Sequence, residues 1–162
     1  MQRLSSLHSP AQLCLDAMKG LQSVLDNSNI SHVPKSRLVW KKEPEEEEDF
    51  EGALAFLSLG VSKAKAAKLI SKLRRTKSIE YAAKDLLRAS GLPLLPREEP
   101  HVDDDLKKIN KGKPLPPVLL VRGEISRGIP LIVADGYHRI CAICYFDESA
   151  PVPCRITDGW AD

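Results

Sequence analysis

Leu131-Ile-Val-Ala-Asp135-Gly136-Tyr137-His138-Arg139-Ile-Cys-Ala-Ile-Cys144 carries the strongest structural signal in the chain. Four apolar residues run into Asp-Gly-Tyr-His-Arg, and an apolar helical pattern follows. The order predicts a buried strand, a glycine turn and a helix whose first turn carries His138 and Arg139. The leading N–H groups of a helix have no acceptor within it, and the helix dipole adds partial positive charge there. Such a turn suits an anion. The planar guanidinium of Arg139 can grip a phosphate or carboxylate through two hydrogen bonds. The residues therefore point to a phosphate-bearing ligand. Gly136 permits the turn, Tyr137 borders the ligand, and Arg139 with the helix N–H groups holds phosphate. His138 donates or shuttles a proton. Asp135 caps the helix, binds a cation or acts as a base toward a hydroxyl.

The 162 residues suit one domain with an appendage. A net charge of +2 argues against wholesale nucleic-acid binding, and 5% aromatic residues supply few base-stacking platforms. No stretch reaches the roughly 20 apolar residues of a membrane span. The four cysteines, Cys14, Cys141, Cys144 and Cys154, stand in apolar settings and do not form a secreted disulfide framework. A cytoplasmic location is expected.

Apolar spacing predicts a short amphipathic helix over residues 10–25 and a short strand over 37–40. Residues 43–49 are acidic at six of seven positions, which predicts a solvated linker or frayed helix start. Helices are expected over 50–59 and 62–75, joined at Gly60 with Ser62 as N-cap. Another is expected over 79–89, ending at Ser90-Gly91. The prolines in residues 92–96 enforce an extended segment. A helix over 102–110 places Asp103, Asp104 and Asp105 first and Lys107 and Lys108 last, matching its dipole. Strands follow at 117–121, 129–133 and 152–156, with the helix after Gly136 running to about Phe146. The plan is α+β, a small mixed sheet with an embedded helix, preceded by a helical N-terminal extension. Three segments result: 1–49, an N-terminal helix and acidic linker; 50–91, a helical segment packing on the domain; and 92–162, the domain itself.

Residues 92–156 resemble the ParB/sulfiredoxin-like fold, best known from the N-terminal domain of ParB chromosome-partitioning proteins. The order that carries the resemblance is a Pro-rich segment, Arg97, a short helix ending in Lys111-Gly112, and Pro-Pro-Val-Leu-Leu-Val121. Leu-Ile-Val-Ala-Asp-Gly-Tyr-His-Arg139 and Val152-Pro-Cys-Arg-Ile156 complete it. In ParB proteins the turn is a Gly-Glu-Arg-Arg motif on nucleotide phosphates. Gly136 and Arg139 match it, Tyr137 stands where the glutamate would be, and His138 replaces an arginine. Sulfiredoxin has its catalytic cysteine where Tyr137 stands, so the resemblance does not extend to sulfinic-acid repair. Relatives with an Asp-Gly-x-His-Arg turn include a free-serine kinase and proteins labelled ParB-like nucleases. The resemblance implies a phosphate or nucleotide site, with Arg97 and His101 as second contacts to the ligand and Glu98 and Glu99 beside them where the fold contributes a basic or acidic contact. If the protein is an enzyme, the expected reaction is NTP hydrolysis or small-molecule phosphoryl transfer, with Asp135 and His138 as its catalytic groups. The cofactor is left open, magnesium accompanying a nucleotide being the one candidate.

Two further features have duller readings. Cys141 and Cys144 form a C-x-x-C after His138, but steps of three on a helix drift by about 60°, so the three share no clean face. Buried small apolar residues describe them better than zinc ligands, and no metal is expected. Lys65, Lys68, Lys72 and Arg75 line one side of a helix that follows a glycine-bearing turn. This permits a DNA-binding or partition-type module as the alternative function, alongside an interaction protein with a relict pocket. The residues set no oligomeric state.

Overall fold

The computed structural model describes residues 38–159. The predicted helix over 10–25 lies outside them, as does residue 37 of the first predicted strand. The described residues form five α-helices and four strands in chain order. They are α1 (Glu51–Gly60), α2 (Lys63–Arg75), β1 (Ile79–Ala82), α3 (Ala83–Ser90), α4 (Pro100–Asn110), β2 (Val118–Arg122), β3 (Ile132–Asp135), α5 (Tyr137–Asp147) and β4 (Pro151–Asp158). Among the described residues no helix is long and apolar enough to cross a membrane.

β2 explains the layering. A strand alternates its side chains between two faces, so an apolar residue at every position needs cover on both. Val118 and Leu120 pack with α3, α4 and α5, through Leu86, Leu106 and Ile140. Leu119 and Val121 pack with α1 and α2, through Ala53, Leu57, Leu69 and Leu73. The sheet lies between two helical layers. Full burial of a Leu, Ile or Val side chain contributes about 1.5–3 kcal/mol, so both faces add to stability.

The strand order is β1-β4-β2-β3, with β4 parallel to β2 and the outer pairs antiparallel. The mixed α+β composition matches expectation, but two local readings need correction. Sequence spacing predicts helix throughout 79–89; instead Ile79, Glu80, Tyr81 and Ala82 pair with β4, and the helix starts at Ala83. Pairing with β4 outweighs helix propensity over this short alternating segment, which adds a fourth strand. Gly91 ends α3 at φ +66°, as its position predicts.

The acidic segment is the second correction. Residues 46–50 form a π-helical turn, and Asp49 is only 3% exposed. Like charges close in sequence repel, but here each key acid meets a cation distant in sequence. Glu43 pairs with Arg155, Glu46 with Arg74 and Asp49 with Arg139. Arg74 also sits over the Phe50 ring at 5.1 Å from its centre. Arg155 reaches from β4 to donate to the carbonyls of Leu73 (3.5 Å) and Arg74 (3.0 Å), terminating α2.

Candidate functional site

The Asp-Gly-Tyr-His-Arg turn joins β3 to α5, as its sequence dictates. Gly136 holds φ +93°, a conformation that strains any side chain. A Cβ there would also lie 2.5 Å from Val118 Cγ1 and 3.0 Å from Arg139 Nη1. Glycine is required on both counts. The α5 hydrogen-bond ladder begins with Ile140 N–H donating to the Gly136 carbonyl at 3.0 Å. The N–H groups of Tyr137, His138 and Arg139 lie ahead of it.

The five residues divide between two environments. A register shift in the β2–β3 pairing sets Leu119 opposite Asp135 and Leu120 opposite Val133. Strict alternation would send Asp135 to the face of Val133; the bulge turns it toward α1 instead. Its Oδ1 comes within 3.6 Å of a Cβ built on Gly52. Arg139, with a side chain 12% exposed, enters the same layer. It donates to Asp49 Oδ1 at 3.0 Å and to the Pro117 carbonyl at 3.2 Å, and lies 3.7 Å from Asp135 Oδ2. Asp49 Oδ2 accepts from the Glu45 N–H at 2.6 Å. Burial pushes the Asp135 carboxyl up to about 7, against the pull of Arg139 and reinforced by the hydrogen bond and charge of Asp49. Arg139 is thus engaged by two carboxylates and a carbonyl, and its first role is to lock the turn onto the acidic segment.

Tyr137 and His138 turn the other way. The Tyr137 hydroxyl donates to the Pro93 carbonyl at 2.5 Å, and Tyr145 donates to the Leu95 carbonyl at 2.8 Å, so α5 fastens the extended segment that leads into α4. His138 stacks on His101, ring centres 4.8 Å apart and planes 29° from parallel. His101 follows Pro100 in the first turn of α4, whose N-cap is Glu99. Glu99 Oε2 accepts from the N–H groups of His101 and Val102, each at 2.9 Å. Its Oε1 lies 3.0 Å from His101 Nδ1, and its Oε2 lies 3.8 Å from His138 Nε2. The hydrogen bond to Glu99 raises the His101 pKa, and the same bond, opposed by some desolvation, lowers that of Glu99. The N-termini of α4 and α5 therefore meet at two stacked imidazoles.

Of the expected site residues, His138 and His101 come together, as do Asp135, Arg139 and Gly136. Asp135 and His138 do not share one set of partners. Arg97 is exposed in the turn before Glu99. Asp49 escaped the sequence reading, because no signal distinguished it from its acidic neighbours. Glu99, expected beside Arg97 and His101 as a second contact, stands in a capping pattern, an acid before Pro at a helix start. Cys141 and Cys154 are buried and Cys144 half-buried. Burial pushes the Cys144 thiol up to about 11 and the Cys154 thiol up to about 12, which disfavours the thiolates that metal binding needs.

No family model matches the chain, and neither the curated proteins nor the solved structures contain a match to it.

Proposed function

We propose that the protein binds a phosphate-bearing small molecule, a nucleotide being the first candidate, where the N-termini of α4 and α5 meet. The observation that carries this reading is the stacked His101–His138 pair beside the leading N–H groups of α5. Imidazole N–H groups and helix N–H groups both donate to phosphate oxygens, and the dipoles of two helices add to the same field. His138 serves as phosphate donor and proton carrier, His101 as the second donor, and exposed Arg97 as a further contact with an extended ligand. Asp135 and Arg139 act one step back, holding the turn in shape. With His138 as the proton carrier, NTP hydrolysis or phosphoryl transfer are the reaction classes to examine. The succession of extended segment, α4, β2, β3, glycine turn, α5 and β4 supports a ParB/sulfiredoxin-like reading of residues 92–156.

The test is an equilibrium binding screen of the full chain with ATP, CTP, GTP and ADP, with and without magnesium. At least one ligand should bind, and His138→Ala should weaken it tenfold or more. No binding of any phosphate ligand would end this reading. A second reading has one observation in its favour: Ser62, Lys65, Lys68 and Lys72 border a hollow of about 370 Å³ along α2. It predicts duplex DNA binding with a steep salt dependence that charge reversal at Lys68 and Lys72 abolishes.

A further inference from the structure

Glu99, His101 and His138 do more than offer donors to an anion. One carboxylate oxygen and one nitrogen from each ring lie within 4.8 Å of one another. An ion held at about 2.0–2.2 Å by imidazole and carboxylate ligands spaces them roughly 3.0–3.5 Å apart. Glu99 Oε1 lies 3.0 Å from His101 Nδ1 and its other oxygen, Oε2, 3.8 Å from His138 Nε2, so each ring already faces one oxygen of the carboxylate. Ion binding would draw the three donors together from their spread of up to 4.8 Å by side-chain rotation. The backbone beneath is already fixed. The Glu99 carboxylate is oriented by the N–H groups of His101 and Val102, the kind of secondary contact that orients metal ligands. His138 is anchored on α5, whose adjoining Tyr137 is tied to Pro93.

We propose that Glu99, His101 and His138 form a binding site for a divalent transition ion, with zinc as the reference ion. Two imidazoles and one carboxylate, without a thiolate, suit zinc, cobalt(II), iron(II) or manganese(II); magnesium prefers an all-oxygen shell. Three protein ligands leave at least one coordination position for water or a ligand oxygen, as in catalytic rather than structural zinc sites. The side chains of His101 and His138 are 73% and 42% exposed, which gives that position an approach from solvent. The two helix dipoles oppose a cation, but their field is screened at this exposed surface, and the Glu99 charge counters it. The ion site rests on three protein donors and does not depend on a phosphate ligand.

The test uses the full chain, stripped with a chelator and titrated with zinc by calorimetry, then with cobalt(II) followed by visible absorption. The expected result is binding at micromolar zinc that His101→Ala, His138→Ala and Glu99→Gln each weaken tenfold or more, with d–d bands of a nitrogen–oxygen site. Cys144→Ser should leave both signals unchanged. Circular dichroism should show all variants folded, since His101 and His138 are surface residues. Absence of zinc binding in the wild type, or binding that survives the double His101→Ala, His138→Ala replacement, overturns the site. Phosphate binding measured in the same samples is a separate readout, so either reading can fail without the other.

Discussion

Replacing Asp135 with asparagine should change how stability depends on pH. The Asp135 carboxyl titrates at about 7 in the folded protein and near 4 in the unfolded chain. Its folded pKa is raised, so between those limits the native state holds a proton that the unfolded state has lost. The stability this group contributes is present below the unfolded value and is lost as pH rises through about 7. A gap of roughly three pH units at about 1.4 kcal/mol each gives about 4 kcal/mol. The asparagine side chain keeps the shape and has no proton to lose. Urea unfolding at intervals from pH 4.5 to 8, extrapolated to water, measures both proteins. The wild type should lose stability toward pH 8 relative to Asp135→Asn, the difference reaching a few kcal/mol. Parallel curves for the two proteins would refute the raised pKa of Asp135 beside Asp49 and Arg139.

Three further outcomes follow from the same contacts. Gly136→Ala should cost about 2–4 kcal/mol, combining left-handed backbone strain with the 2.5 Å approach to Val118 Cγ1, and adding Val118→Ala should recover part of it in the same unfolding assay. Arg155→Met should cost about 1–2 kcal/mol, because it removes the donor for the Leu73 and Arg74 carbonyls at the end of α2; thermal unfolding reads this directly. Tyr137→Phe should cost only about 1 kcal/mol yet speed proteolysis within residues 92–96, since it releases one of the two hydroxyls that fasten that segment.

The strand–turn–helix at Asp135–Arg139 was legible because its signals are local: an apolar run, a glycine that no other residue replaces, and helical spacing after it. The Ser62 and Gly91 boundaries were legible for the same reason. Long-range pairing hid the rest. Ile79-Glu-Tyr-Ala82 resembles the opening of a helix until β4 offers it a ladder. The acidic segment looks self-repelling until Arg74, Arg139 and Arg155 arrive from positions far along the chain. Arg139 drew the phosphate reading because it stands beside His138 in sequence. The β2–β3 register shift, which no local pattern announces, turns Asp135 toward the opposite layer, where Arg139 joins it. Glu99 and His101 were readable as a helix start, but their meeting with His138 depends on α4 packing against α5.

The most direct measurement is a titration of the isotopically labelled full chain with ATP and CTP, followed by the backbone amide resonances of Tyr137 and His138. Phosphate binding at the junction of α4 and α5 predicts saturable shifts at these two amides and at His101, all lost in the double His101→Ala, His138→Ala protein. Shifts confined to the start of α2 around Ser62 and Lys65, or no shift at saturating nucleotide, would contradict it.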